Sequence, residues 1–300
     1  MFRIKKMDVN DLDIEKFKKK NSSRHHYIPQ FLIEGFTNAD GVTYVYDKKR
    51  DKILNKPKAP KAIFFERDRN TVNLPDNKQS SILEDILFQK IDNIGSEIVK
   101  YFQNTELSKV EFNYDNSAHF LFFLVTLFWR IPLTDFATIE LANQTDIQSK
   151  DISSISLKND DNSKLQTSGL ILHTLNEMKN SSSSSKKWIN LHQMSEEMLV
   201  LGDNPLLNRK TSDKFSEFGK GDFLIALTSR RIYSSTKDNL GGLPVFNAVK
   251  YNTAVINQSL RYVCCGNLDF LKKSVKTYKE FRKLGLNYNF NERTFEIKKD

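Results

Sequence analysis

One short segment of the chain is apolar on every side, and it limits what the rest can fold into. Phe120–Trp129 reads FLFFLVTLFW, and Pro132 follows shortly after it. This run is about half as long as a helix that spans a bilayer. We therefore predict that His119–Trp129 lies in a central core helix, which Pro132 ends or kinks.

The elements on the N-terminal side of this helix follow from local patterns. Val42–Asp47 and Lys52–Asn55 predict a hairpin of two short strands across a polar turn. Apolar residues at helical spacing predict a helix from about Ile82 to Phe102, and Ser81 and Glu84 have the spacing of a capping box at its start.

The C-terminal part alternates between strand and helix patterns. Glu197–Leu201 and Phe223–Thr228 are typical of buried strands, whereas Tyr251–Val263 is compatible with a helix or a strand. Asn267 caps a last predicted helix, and Gly285 follows its end. Together these elements predict an α+β fold, with central helices packed against a small mixed or antiparallel sheet.

Composition shifts divide the chain into three predicted parts. Residues 1–23 are a charged N-terminal arm, 24–266 form a single α+β domain, and 267–300 are a basic C-terminal helix and tail. Within the domain, the polar stretch near 144–166 predicts a mobile insertion, and residues 181–185 predict a Ser-rich loop.

The net charge of +9 suits a polyanionic partner such as nucleic acid. Much of the positive excess lies in Lys16–Lys20 and in Lys272–Lys283. A Lys-rich chain with many Asn and Ser is also what a compositionally biased genome produces, so both explanations stay open. A second copy of the chain, or a partner protein encoded in the same operon, is an alternative partner.

The two cysteines and the N-terminus indicate a reduced, cytoplasmic protein without a membrane segment. Cys264 and Cys265 are adjacent, and a bridge between neighbouring cysteines strains the intervening peptide. The N-terminus lacks the pattern of a secretory signal, so we expect reduced thiols and a cytoplasmic location.

A set of short motifs in the chain resembles the bacterial family catalogued as domain of unknown function 4238. In chain order the motifs are Arg24–Leu32 (RHHYIPQFL), Gly35-Phe36, Tyr44–Asp47 (YVYD), Phe128–Pro132 (FWRIP), Leu201–Pro205 (LGDNP), Leu227–Ser229 and Asn257. The resemblance covers roughly His25 to Cys265, and its most specific part is the His-His-Tyr-x-Pro-Gln box. The chain departs from the pattern at Gly202, where the family usually has a small hydroxyl residue. The resemblance implies no particular activity. It does indicate that the residues of these motifs belong together.

The box supplies the first candidate site residues. The rings of His25 and His26 diverge because the residues are adjacent, so one is able to act on a substrate while the other anchors the turn. The alternative is that both cap the helix that begins near Pro29. Tyr27 and Gln30 are candidate substrate-binding residues in the same box.

Arg130 and Asp203 are the other two candidate catalytic residues. Arg130 ends the apolar helix, where a buried guanidinium needs an anion: a structural carboxylate such as Asp203, or a substrate phosphate. Asp203 follows a predicted strand, and it is a candidate to orient a histidine, accept a proton or hold a divalent metal ion. Asn204 is a candidate substrate-binding residue beside it, although the pair also suits an Asx turn.

We predict from these roles that His25, His26, Arg130 and Asp203 converge in space. Two other acidic residues, Asp85 and Asp92, lie seven positions apart, and we interpret them as a solvated helix stripe. Glu84 is assigned to the helix cap.

These residues favour phosphodiester chemistry over the common nucleotide or hydrolase classes. No Walker loop, dinucleotide fingerprint, nucleophile elbow or zinc-ligand cysteine pair is present in the sequence. A His base, a cation for phosphate and an acidic residue predict a metal-dependent or His-dependent nuclease that acts as a bacterial defence or toxin-like effector. The alternative is a non-catalytic ligand-binding or protein-interaction module. An open cleft would favour the enzyme, and a closed hydrogen-bond network would favour the module.

Overall fold

The computed structural model describes most of the predicted family domain. The described residues are 24–73, 79–81, 83–110, 114–135, 171, 190–194, 196, 198–208, 223–234, 245–291 and 294–299. The predicted arm, the insertion near 144–166 and the loop at 181–185 lie outside these ranges.

The strands are short and pair in an antiparallel sense wherever they are described. They are β1 (Arg24–His26), β2 (Tyr44–Asp47), β3 (Lys52–Ile53), β4 (Phe65–Arg67), β5 (Val72–Asn73), β6 (Gln79–Ser80), β7 (Asn190–Gln193), β8 (Leu201–Gly202), β9 (Leu207–Asn208), β10 (Phe223–Ala226), β11 (Arg231–Ser234), β12 (Tyr262–Cys265), β13 (Leu286–Asn291) and β14 (Thr294–Lys299). Two four-stranded sheets have the orders β3-β2-β12-β8 and β7-β11-β10-β9, and β1-β4, β5-β6 and β13-β14 form two-stranded ladders.

Five α-helices accompany these sheets in the described residues. They are α1 (Gln30–Glu34), α2 (Gln89–Asn104), α3 (Tyr114–Arg130), α4 (Val245–Gln258) and α5 (Leu268–Lys283). A π-helical segment, Leu83–Phe88, runs directly into α2. The α+β prediction is confirmed, because helices pack against small antiparallel sheets. Over the described residues, no helix is both long enough and apolar enough to cross a membrane.

The central helix α3 lies in the core, as its composition predicts. Phe120, Phe123 and Trp129 are buried, and Pro132 opens a short 3₁₀ turn just after the helix. Helix α2 approaches α3 closely at Gly95, where a Cβ atom would lie 2.7 Å from the Phe123 ring. A residue with a side chain would therefore push the two helices apart.

The first sheet confirms the predicted hairpin and settles an open choice. Strands β2 and β3 pair, with Asp47 opposite Lys52, and the turn uses Asp51 at a φ of 49°. The ambiguous region around Tyr251–Val263 contains both elements, since α4 ends at Gln258 and β12 begins at Tyr262. The strand predicted at Glu197–Leu201 is shorter and later than expected, because only Leu201 of that segment belongs to β8.

The structure contradicts one alternative and one prediction about helix starts. His25 and His26 belong to strand β1, and Pro29 itself precedes the first residue of α1, so the histidines do not cap that helix. The predicted capping box is also absent: the Ser81 hydroxyl donates to Asp85 Oδ2 at 2.5 Å, while Glu84 accepts from the side chain of Asn70. The π-helical turn redirects Glu84 toward this loop partner.

The last helix agrees with the sequence prediction. The side chain of Asn267 accepts from the N–H of Phe270, and Gly285 follows the helix at a φ of 67°. Leu271, Val275 and Tyr278 are buried on one side of α5, which packs against β2, β12 and α4.

Gly202 should not tolerate a side chain. A Cβ atom there would overlap the Ser259 hydroxyl and lie 2.9 Å from Val255, both on the C-terminal part of α4 and its exit. We expect Gly202→Ala to lower the free energy of unfolding by about 1–3 kcal/mol in urea denaturation. Adding Ser259→Ala should recover part of this loss, because it removes one of the two overlaps. An unchanged denaturation midpoint in the single variant would contradict this expectation.

Candidate functional site

The alternation of strand β1 sends the two box histidines in opposite directions. In its ladder with β4, Arg24 lies opposite Arg67, His25 opposite Glu66, and His26 opposite Phe65. Successive side chains of a strand point to opposite faces. His25 is accordingly buried completely, whereas His26 is half-buried on the face that it shares with Arg24.

His25 is part of a closed hydrogen-bond network. Its Nδ1 accepts from the backbone N–H of Asn70 at 2.8 Å, which fixes that nitrogen as the unprotonated one. The Asn70 side chain in turn donates to Glu84 Oε2 at 2.7 Å. His25 therefore connects the β4 turn to β1 from within the core, where its side chain is fully buried.

His26 lies on the outer face of β1, near the cations Arg24 and Arg130. Burial lowers the pKa of His26, and so does the neighbouring Arg130; a hydrogen bond to the Pro60 carbonyl and the charge of Asp92 oppose the shift. Its Nε2 atom is buried and has no hydrogen-bond partner in the part of the chain that the structure describes. The net shift of the His26 pKa favours its neutral form.

Arg130 is buried and its carboxylate partner is Asp92, so the predicted pairing with Asp203 is wrong. Nη1 donates to Asp92 Oδ1 at 2.6 Å, and Nη2 donates to Asp92 Oδ2 at 3.2 Å and to the His26 carbonyl at 2.5 Å. The ring of Phe88 lies 5.2 Å from the guanidinium carbon. Asp92 is therefore not part of a solvated stripe.

A second arginine, Arg69, extends this network to the outside. Its Nε donates to the carbonyl of Arg130 at 3.1 Å, and its terminal nitrogens bind Asp135 and Glu66. Burial lowers the pKa of Arg69, but Asp135 and Glu66 raise it by more, so the pKa lies above its usual value. Arg130, the last residue of α3, is therefore held at two points. Its side chain binds Asp92, and its carbonyl accepts from Arg69.

Tyr27 and Asp203, far apart in sequence, are neighbours in the structure. Burial raises the pKa of the Tyr27 phenol, and the nearby charge of Asp203 is the next contribution, followed by Glu66. The guanidinium carbon of Arg69 lies 6.0 Å from the centre of the Tyr27 ring, and its charge acts in the opposite direction on the pKa. The phenol therefore remains protonated and is a hydrogen-bond donor.

The carboxylate of Asp203 organises the turn between α4 and β12. It accepts backbone N–H groups of Leu260, Arg261 and Tyr262 at 2.7–2.8 Å. Burial raises the pKa of Asp203, while these three donors and Lys48 act in the opposite direction. Both carboxylate oxygens bind backbone N–H groups of the turn, as the side chain of an Asx-turn residue does.

The remaining two predicted site residues have different environments. Gln30 is exposed at the first position of α1. Asn204 is buried, and its carbonyl accepts from the Gln258 side chain at 2.6 Å. The substrate-binding role of these two residues stays a prediction.

The backbone that holds the box carries local strain. Phe64 has a φ of 56°, which is an outlier for a bulky side chain. Its carbonyl accepts the N–H of Tyr27 at 3.0 Å and that of Ile28 at 3.5 Å. Such conformations persist where the surrounding contacts fix them, and here the contacts are the two N–H groups that follow β1.

The structure thus sorts the four predicted catalytic residues into two groups. The Arg130 side chain donates to the backbone carbonyl of His26, and His25 lies on the opposite face of the same strand. Asp203 instead belongs with Tyr27 and the α4–β12 turn. Within the described ranges, no three His, Cys, Asp or Glu side chains are arranged to hold a metal ion.

Sequence reasoning missed Asp92, Asn70 and Arg69. The sequence held one signal for the position of Asp92. It directly follows Ile91, a residue of α2 that is buried in the core of the domain. A buried cation at the end of the adjacent core helix needs a carboxylate at that depth. Asn70 and Arg69 carry no comparable signal, since their roles depend on the positions of β4 and its turn.

Fold and site together define an α+β domain in which the strand that carries His25 and His26 is fixed to a core helix by a buried arginine. The chain belongs to the family described as "Protein of unknown function (DUF4238)", whose model matches residues 24–233. This confirms the resemblance seen in the sequence, although the match ends before Asn257 and β12. No curated protein and no solved structure matches the chain.

Loss of either buried polar partner should destabilise the domain. Arg130→Ala removes the partner of Asp92, and we expect a loss of about 3–5 kcal/mol. His25→Ala leaves the buried Asn70 N–H unpaired, with an expected loss of about 1–3 kcal/mol. Gln30→Ala, an exposed change in the same box, should stay within about 0.5 kcal/mol. Chemical denaturation compares the three, and a His25→Ala variant as stable as Gln30→Ala would contradict the network.

His26 should make stability fall in mild acid. Its pKa in the folded state lies below the usual 6.5, so the unfolded chain binds a proton that the folded chain resists. This contribution is absent at pH values well above 6.5, and stability decreases as pH falls below it. His26→Gln should lose less stability than the wild type between pH 7.5 and 5.5, measured by urea midpoints. Identical pH dependence of the two proteins would exclude His26 as the source.

Proposed function

We propose that this domain is a non-catalytic module that binds nucleic acid through a basic surface formed by α5 and the β2–β3 turn. The box residues supply the first support. His25, Arg130 and Asp203 are buried and hydrogen-bonded to other parts of the fold. A closed network of this kind is the arrangement expected of a module, whereas an enzyme would present these groups in a cleft.

The observation that carries the proposal is the division of α5 into two faces. The helix contains six cationic and two acidic side chains. Its apolar residues Leu271, Val275 and Tyr278 are buried, and the cations lie on the exposed and half-exposed remainder. They are Lys272, Lys273, Lys276, Lys279, Arg282 and Lys283.

The β2–β3 turn extends this positive surface. Lys279 Nζ lies 2.6 Å from Asp51 Oδ1, which places the turn beside α5. Arg50 and Arg261 each lie 3.7 Å from the buried carboxylate of Asp47, and both side chains are substantially exposed. Two arginines share one carboxylate here, so positive charge remains in excess.

The character of the surface favours nucleic acid over an anionic membrane. An interfacial helix inserts its apolar face into the lipid, but the apolar face of α5 is already buried against the protein. A row of exposed lysines and arginines on a helix whose Leu271, Val275 and Tyr278 are buried suits a phosphate backbone, where each neutralised phosphate releases counterions.

Charge reversal on α5 tests the proposal. Lys273→Glu/Lys276→Glu should lower the affinity for a fluorescent 20-nucleotide RNA or DNA by about tenfold or more. Fluorescence anisotropy over a salt series should also show a smaller slope, by about 0.7–0.9 for each phosphate that a cation no longer neutralises. The control is Lys100→Glu, an exposed lysine on α2. Absence of binding at low salt, or equal binding by both variants, would overturn the proposal.

Phosphodiester hydrolysis is the second candidate, and one observation favours it. The lowered pKa of His26 favours the neutral form that a general base requires, and its Nε2 has no hydrogen-bond partner among the described residues. The same oligonucleotides, incubated with Mg²⁺, with Mn²⁺ and with EDTA, distinguish the two functions. Cleavage that His26→Gln abolishes would replace the binding module by a nuclease.

A further inference from the structure

We infer that Arg50 and Arg261 form a clamp that holds one phosphate group directly by hydrogen bonds. This inference rests on the proposed function, because it names the part of the basic surface that recognises the phosphate. Strands β2 and β12 pair with Asp47 opposite Tyr262, so the turn after β2 and the turn before β12 lie at the same end of the sheet. The N–H of Lys48 donates to the carbonyl of Arg261 at 2.7 Å, which joins the two turns.

A buried carboxylate brings the two guanidinium groups together. Asp47 Oδ2 lies 3.7 Å from the Nε of Arg50 and 3.7 Å from the Nε of Arg261, so the two Nε atoms are at most twice that distance apart. Only 1% of the Asp47 side chain is exposed, compared with 62% for Arg50 and 42% for Arg261. The carboxylate therefore lies beneath two cations that both reach solvent.

Neither guanidinium group makes a hydrogen bond to another residue in the described part of the chain. A distance of 3.7 Å gives ionic attraction, but it is longer than a hydrogen bond. The Nε of Arg261 is buried and has no hydrogen-bond partner among the described residues. A guanidinium group carries five N–H donors in a planar fork that matches phosphate oxygens. Two such forks beside one another are therefore able to bind several oxygens of one phosphate group.

Contacts on both turns position the clamp before a ligand binds. The guanidinium carbon of Arg261 lies 4.6 Å from the centre of the Tyr262 ring, and the backbone N–H of Arg50 donates to Asp47 Oδ1 at 3.2 Å. Stacking on a ring restricts a long side chain, which reduces the entropy lost on binding. A lysine is instead a point charge on a flexible stem. The clamp thus recognises the phosphate, whereas the lysines of α5 supply general attraction.

Positive charge exceeds negative charge around the clamp. Two further carboxylates at this end of the sheet are bound by other donors, Asp51 by a tyrosine hydroxyl and by Lys279, and Asp203 by three backbone N–H groups. Burial lowers the pKa of Lys48, and the nearby charge of Arg282 adds to this shift, whereas Asp203 opposes it. With the clamp and the carboxylate beneath it, these groups comprise five cations and three carboxylates, so an anionic ligand is favoured.

Replacing both arginines with lysines tests the clamp, because it keeps the charge and removes the forks. We expect Arg50→Lys/Arg261→Lys to bind a labelled 20-nucleotide strand about threefold to tenfold more weakly than the wild type at about 0.1 M salt. The slope of the salt dependence should not change, because the number of cations is the same. The matched control is Arg67→Lys/Arg230→Lys, which changes two exposed arginines elsewhere in the domain. A basic surface that acts by charge alone predicts no loss, so a clamp variant that binds like the control overturns the inference.

The phosphate group has two chemical sources in a nucleic acid, an internal diester or a terminal monoester. Strands of equal length with a 5′-hydroxyl or a 5′-phosphate separate them. A loss of affinity for both strands in the lysine variant assigns the clamp to the diester. A loss confined to the phosphorylated strand assigns it to the terminal group.

The outcomes separate this inference from the proposed function. If Lys273→Glu/Lys276→Glu loses affinity and the lysine variant of the clamp does not, the clamp is wrong and the basic surface stands. If no oligonucleotide binds to the wild type, thermal melts with millimolar inorganic phosphate decide. Phosphate should then raise the melting temperature of the wild type but not that of Arg50→Gln/Arg261→Gln. That result keeps the clamp and rejects the nucleic-acid module, whereas an equal shift in both proteins, or none in either, rejects the clamp as well.

Discussion

The buried guanidinium of Arg130 joins three separate parts of the domain. It binds Asp92 on α2, the carbonyl of His26 on β1, and the ring of Phe88 at the end of the π-helical segment. A charge in this position would be costly without a carboxylate and further hydrogen bonds. The elements around it are therefore constrained together, since the position of α2, the end of α3 and the path of β1 must all satisfy one side chain.

This constraint explains why the family's most specific motif is mostly internal. With β1 fixed by Arg130, strand alternation directs His25 inward to Asn70, and the next N–H groups bind the strained carbonyl of Phe64. Residues that look like catalytic groups in the sequence are used to connect the β4 turn, α2 and α3. What β1 presents to solvent is Arg24 and the edge of His26.

A second organising carboxylate lies at the other end of the box. Asp203 holds the turn that leads from α4 into β12, and its charge acts on Tyr27 and on Lys48. Lys48 donates to the carbonyls of Asn257 and Ser259, so the end of α4 is closed by a cation, as helix C-termini favour. Through these contacts the box, the first sheet and the end of α4 form one continuous structure.

The sequence alone determined the elements whose signals are local. The continuous apolar run of α3, the hairpin across Lys48–Asp51, and the Asn267 cap with Gly285 after α5 depend on neighbouring residues, and all three are present in the structure. The family could also be recognised from its motifs, because they are short and contiguous. Pattern and capping chemistry act within a few residues, so they can be read without knowing the fold.

The tertiary structure decided which charged side chains lie next to each other. Arg130 required an anion, and the sequence could state that need but not choose between Asp203 and Asp92, because the choice depends on which helix lies beside α3. The same holds for Arg24 and Arg67, which are 43 positions apart and become opposed only through the register of β1 with β4. Long-range pairing is set by packing and register over the whole domain, and a one-residue shift would send each of these side chains to the other face.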